Sequence, residues 1–119
     1  MNPPTQPGPL SDAELSQAMD GLWARFLPDI RARVSVLEAG TQAAREGKLT
    51  AKQREASQTA AHKLAGVLGT FGLTRGTVLA RELELAFARE SSPSRDEGAK
   101  LAGIAAELRN MIESREPSA

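Results

Sequence analysis

The 119-residue chain has no cysteine and no tyrosine, and it has only one histidine, one tryptophan and three phenylalanines. Without cysteine there can be no disulfide framework, no thiolate zinc site and no thiol nucleophile. A single histidine excludes metal sites built from several imidazoles, and a histidine-dependent triad could use only this one. Neither sign of charge is in excess: 15 Lys+Arg balance 15 Asp+Glu, and the pI is near 6.6. That balance speaks against a general nucleic-acid binder, which needs a basic face to neutralise phosphates. The N-terminus lacks a charged-then-apolar signal pattern, and no apolar run approaches the roughly 20 residues of a membrane helix. A soluble cytoplasmic protein is therefore expected. What the chain has in quantity is Ala, Leu, Arg and Glu, the composition of helices and not of a β-sandwich. Its length suits one domain with a core of its own.

Residues 1–10 (MNPPTQPGPL) carry four prolines and a glycine and read as a flexible arm; residues 116–119 read as a frayed tail. The span 11–115 between them is punctuated as helices. Ser11 and Glu14 form a capping box, with Leu10 and Leu15 placed for a hydrophobic staple. Pro28 lacks an N–H and crowds the preceding turn, which predicts a kink or a brief break around Phe26 and Leu27, after a short extra N-terminal helical segment. Trp23, Phe26, Leu27, Ile30, Val34 and Leu37 keep one apolar stripe that ends near Gly47. Thr50 and Gln53 box the start of a second helix, with Gly72 placed beyond its end as a left-handed C-cap. A third helix runs from Thr74 to near Glu90, with Leu79, Leu83, Ala86 and Phe87 inward. Ser94 and Glu97 open the last, where Leu101, Ile104, Ala105, Leu108, Met111 and Ile112 recur at helical spacing. Nothing alternates with period two. The reading is all-α, an antiparallel four-helix bundle.

On a wheel of about 100° per residue, His62 stands opposite Ala60, Leu64, Val67, Leu68 and Phe71. Glu55, Gln58, Thr59, Ala65, Gly66 and Gly69 fall within roughly 60° of it. The histidine thus occupies the middle of the polar face of its helix. Gly66 and Gly69 each cost about 1 kcal/mol relative to alanine inside a helix. On that face they clear space for a bulky reactant to reach the ring, although close approach of another helix would also call for them. Neutral imidazole is a good nucleophile near pH 7 and can carry a phosphoryl group on nitrogen. Phosphoryl transfer depends largely on positioning and cationic stabilisation. The chain offers one adjacent cation, Lys63, and no acidic pocket for Mg²⁺, so the catalytic apparatus, Mg²⁺ included, is expected on a partner. No P-loop is present: Gly47-Lys48 is followed by Leu49, and Gln42 stands at the first glycine position. Glu82, Glu84 and Glu90 sit among arginines and read as a solvated helix face.

The stretch Ala61-His62-Lys63-Leu64-Ala65-Gly66, with Gly69 and Phe71-Gly72-Leu73 after it, resembles the signature of histidine-containing phosphotransfer (HPt) domains. The Leu83-Glu84 pair in the next helix is similar to that family's pattern as well. The resemblance implies a four-helix bundle in which His62 accepts a phosphoryl group from the aspartyl-phosphate of a receiver domain and passes it to another receiver. It implies receiver domains or a hybrid sensor histidine kinase as partners, a carrier and not an enzyme, and no cofactor on this chain. Lys63, Gly66, Gly69, Thr59, Gln58 and Ala65 would surround the phosphoryl group or a docked partner, with Arg75 at the rim or as a plain surface arginine. One residue departs from the signature: the lysine usual three positions after the histidine is Ala65, while Lys63 follows the histidine directly. That departure motivates an alternative, a helical adaptor that binds a receiver or kinase through the His62 face without transfer. A third reading makes His62 a general base for a small substrate, which a convex helix face serves poorly.

Overall fold

The computed structural model describes residues 9–115. The arm expected over 1–10 lies outside the described residues except for Pro9 and Leu10, which are exposed chain without regular structure; the tail expected over 116–119 lies outside them altogether. Four helices follow in order: α1 (Asp12–Arg45), α2 (Ala51–Thr70), α3 (Thr74–Ala88) and α4 (Arg95–Glu113). Ser11, Thr50 and Ser94 cap α1, α2 and α4, each in the full reciprocal box with Glu14, Gln53 and Glu97. α3 starts at Leu73 with no side-chain cap. Gly72, at φ +72°, stops α2. The Leu73 N–H donates to the Leu68 carbonyl (2.9 Å) and that of Gly72 to Gly69 (3.0 Å), the bond pair of a Schellman turn.

Contacts between the helices run in opposite numerical order, so neighbours are antiparallel. Along α1 and α4, Arg115 meets Asp20, Glu113 meets Arg31 and Arg109 meets Glu38. Along α2 and α3, His62 meets Glu84 and Ala65 meets Thr77. Arg75 pairs with Glu107, and Arg89 with Glu97, between α3 and α4. Each helix packs most closely on two others, and across the α1–α3 diagonal the Phe87 ring reaches Gly40. The ring closes over Ile30, Val34, Leu37, Leu64, Leu68, Leu79, Leu83, Phe87 and Leu108, all essentially without solvent exposure. Arg31 holds the Glu113 carboxyl below the usual carboxylate range through its hydrogen bond.

α1 is one helix without the interruption expected at Phe26–Leu27: the N-terminal segment and the long helix are continuous through Pro28. A proline inside a helix costs about 3 kcal/mol. Burial of Trp23 before it and Ile30 after it, at about 1.5–3 kcal/mol for a large apolar side chain, offsets that cost. Pro28 and Ala24 are both exposed, so the carbonyl that loses its partner faces water. Phe26 is not core: it is 42% exposed, at the margin of the α1 stripe, and meets Phe71 edge-on with ring centroids 6.1 Å apart. Leu10 and Leu15, the expected staple, are each more than half exposed.

Two glycines set how closely the helices approach. A Cβ on Gly40 of α1 would collide with Ser57 of α2, its Oγ nearest and its Cβ at 3.2 Å. A Cβ on Gly98 of α4 would lie 2.7 Å from the Ala44 carbonyl carbon and 2.8 Å from the Arg45 Cα of α1, which is backbone and cannot swing aside. Ser57 is fully buried and its hydroxyl has no hydrogen-bond partner among the described residues. An unsatisfied buried hydroxyl costs about 1–3 kcal/mol. Ser57→Ala is therefore expected to raise the thermal midpoint by several degrees in a calorimetric melt.

Candidate functional site

His62 lies just past the middle of α2, on a helix whose cap and Schellman turn are both formed, so its backbone is regular on either side. Its side chain is 71% exposed. The ring is nevertheless not loose: Nδ1 lies 2.7 Å from Oε2 of Glu84, which α3 delivers from a position only 21% exposed. An ionised carboxylate can only accept hydrogen bonds, so Nδ1 carries the proton and donates it. In the neutral ring the lone pair then sits on Nε2, the opposite ring nitrogen, free of any hydrogen-bond partner within the described residues. A carboxylate that fixes tautomer and ring orientation in this way prepares the far nitrogen as a nucleophile.

Sequence reasoning named Glu84 only within the Leu83-Glu84 pattern and otherwise assigned it to a solvated face among arginines, so its contact with His62 was not foreseen. The signal was present in spacing. Thr77, Ala80 and Glu84 recur at i, i+3 and i+7 along α3; Ala80 is buried and Thr77 donates its hydroxyl to the Ala65 carbonyl at 3.1 Å. Glu84 is the next residue along the edge of α3 that packs on α2.

The surroundings of the ring are as the wheel places them in most respects. Gly66 is exposed, and a Cβ there would meet nothing within 4 Å, so the space beside the imidazole is open. A Cβ on Gly69 would touch Thr77 Oγ1 at 3.4 Å, an ordinary contact. Thr59 is exposed and Gln58 half-buried; with Glu55 and Glu84 they line a shallow hollow of about 350 Å³ around His62. Lys63 is exposed on the other flank, toward α1, and makes no ion pair within the described residues. Ala65 departs from expectation: it is 2% exposed and belongs to the core. α3 covers the flank of α2 that carries Ala61 and Ala65, so the buried arc reaches to within roughly 60° of His62. Nothing can dock on Ala65. Arg75 pairs with Glu107 on α4 and does not join the site.

Among the described residues no helix is long and apolar enough to cross a membrane, and no group of three or more His, Asp or Glu is arranged to hold a metal ion.

The family model of the Hpt domain matches residues 21–116, which takes in all but the first nine residues of α1 and the whole of α2, α3 and α4. Protein RcaC of Microchaete diplosiphon is 39% identical over 62 residues, covering 52% of this chain. The chain spans about a tenth of that relative's length. No solved structure matches it significantly.

Proposed function

This chain belongs to the Hpt domain family of phosphotransfer proteins, and from that membership and the His62–Glu84 pair we propose that it is a phosphoryl carrier of a two-component phosphorelay. His62 takes the phosphoryl group from the aspartyl-phosphate of one receiver domain and gives it to another. The single observation that supports this most is the geometry of the ring: Nδ1 held by Glu84 at 2.7 Å, with Nε2 directed away from it on an exposed, glycine-cleared face.

The step balances without further reactants. The Nε2 lone pair attacks phosphorus while the bond from phosphorus to the aspartyl oxygen breaks, and the aspartate leaves as a carboxylate. The ring becomes cationic, its Nδ1 proton still hydrogen-bonded to Glu84, which offsets the new charge. In the onward step an aspartate carboxylate oxygen of the second receiver bonds to phosphorus as the nitrogen–phosphorus bond breaks, and the imidazole departs neutral with its proton still on Nδ1. The same pair therefore serves loading and unloading. This chain contributes nucleophile, orientation and open access; Mg²⁺ and the remaining charge stabilisation belong to the receiver.

Incubation with a phosphorylated cognate receiver is expected to transfer acid-labile, base-stable label to this chain, and His62→Gln is expected to take none while melting as the wild type does. Label retained at the wild-type level in His62→Gln would overturn the reading. An absence of label with any receiver, together with binding that ignores phosphorylation, would favour the non-transferring adaptor.

Gly66 provides a second check, because stability and transfer should move in opposite directions. Gly66→Ala removes a helix-interior glycine where the methyl meets nothing, so the fold should gain about 0.5–1 kcal/mol. The same methyl stands one turn from His62 on the face a receiver must cover. Slower transfer from a receiver with a higher melting midpoint is the expected pair of results, read by a time course of label and by calorimetry.

A further inference from the structure

A second concavity borders the site, and the transfer chemistry alone gives it no role. It is a groove of about 500 Å³ between α1 and α2, lined by Arg33 and Val36 of α1 and by Lys52, Ala56, Ala60 and Lys63 of α2. Glu55 and Thr59 line both this groove and the hollow around His62, so the two are one continuous surface.

The groove wall gathers three cations against one anion in a chain that is neutral overall. Arg31, Arg75, Arg89, Arg109 and Arg115 each hold a carboxylate. Arg33, Lys52 and Lys63 hold none within the described residues, and Glu55 is the only anion on the groove wall. The groove floor is apolar, and its Val36 is left 38% exposed. On the opposite flank of His62 stands the Glu84 carboxylate. Three cations thus stand on the α1 side of the ring, and the charge that meets the ring from α3 is the Glu84 carboxylate.

We propose that the α1–α2 groove seats an acidic surface segment of the receiver that exchanges phosphoryl with His62, its carboxylates against Arg33, Lys52 and Lys63 and one apolar side chain against Val36. The inference rests on the carrier reading and adds to it the orientation of the partner. An acidic segment laid toward α3 would meet Glu84, whereas one laid toward α1 meets three cations, so the charge favours the α1 side. Complementarity of this kind acts chiefly on the rate of encounter and weakens with salt.

The test uses the full chain and a purified receiver domain that accepts phosphoryl from the wild type. Wild type, the double variant Arg33→Glu/Lys52→Glu and the conservative variant Arg33→Lys/Lys52→Arg are each loaded on His62 with phosphoramidate. Transfer is then followed per loaded molecule, so differences in loading cancel, and circular dichroism melts establish that each variant is folded. The double charge reversal is expected to slow second-order transfer by about tenfold or more at about 0.05 M salt, with the deficit shrinking at about 0.5 M, while the conservative variant stays near wild type. Transfer within about twofold of wild type at both salt concentrations would overturn the groove proposal and leave the carrier reading intact. If phosphoramidate and the receiver both fail to load wild-type His62, the carrier reading falls first, before any variant is compared.

Discussion

Gly98→Ala is expected to destabilise the bundle by about 3 kcal/mol, at the upper end of the range for overpacking a close contact. The added methyl would stand 2.7–2.8 Å from backbone atoms of Ala44 and Arg45 at the last turn of α1. A clash with a side chain can be relieved by a rotamer change, but here α4 as a whole must move away from α1. That movement would disturb the contacts between α1 and α4, Arg109 with Glu38 among them. For a domain of this size such a loss lowers the thermal midpoint by about 10–20 °C. His62 lies on α2, away from the displaced contact, so the protein that remains folded should still accept label. Calorimetry and a labelling assay on the same sample separate the two effects. A midpoint within a few degrees of wild type would mean that α1 and α4 are not as close as described.

Substitution of Glu84 is expected to alter reactivity and leave the fold intact, and the order of the variants carries the information. In Glu84→Gln the amide oxygen can still accept from Nδ1–H, so this variant should keep the tautomer and lose only the charge that balances the cationic ring. Glu84→Ala loses both. Glu84→Lys presents a donor to Nδ1, which drives the ring proton to Nε2 and removes the lone pair from the nitrogen that faces solvent. The expected order of transfer rates is Glu, Gln, Ala, Lys. A hydrogen bond to a charged group contributes about 1.5–3 kcal/mol in protected surroundings and less beside water. With His62 71% exposed, about 1.4 kcal/mol or a tenfold loss is expected for Ala, and more for Lys. The measurement is the single-turnover rate with one receiver, beside a melt for each variant. Equal rates for Ala and wild type would show that Glu84 does not prepare the ring.

The elements most legible in the sequence were those written locally. The three capping boxes and the glycine after α2 are each a matter of a few adjacent residues, and each is formed as the residue types require. His62 could be placed on an exposed face because its apolar counterparts recur at helical spacing on the same helix. What the sequence hid was decided by the packing of one helix on another. Ala65 is small and sits near His62 on the wheel, and only the seating of α3 on that flank turns it from surface to core. Glu84 looked like one charge among many, and its partner is 22 positions away. Pro28 is a strong local signal for a break, but burial on both sides of it, through Trp23 and Ile30, outweighs it. The resemblance around His62 pointed to the family, while the residue at the usual lysine position, Ala65, is placed by α3 in the core.

The most direct test of the central claim is imidazole nitrogen NMR on ¹⁵N-histidine-labelled protein, before and after loading with phosphoramidate. With a single histidine in the chain, the spectrum contains one imidazole and needs no assignment. The expected result is a proton on Nδ1 in the neutral ring and, after loading, phosphorus coupling to Nε2 with Nδ1 still protonated against Glu84. A neutral ring protonated on Nε2, or a phosphoryl group found on Nδ1 or away from His62, would contradict it.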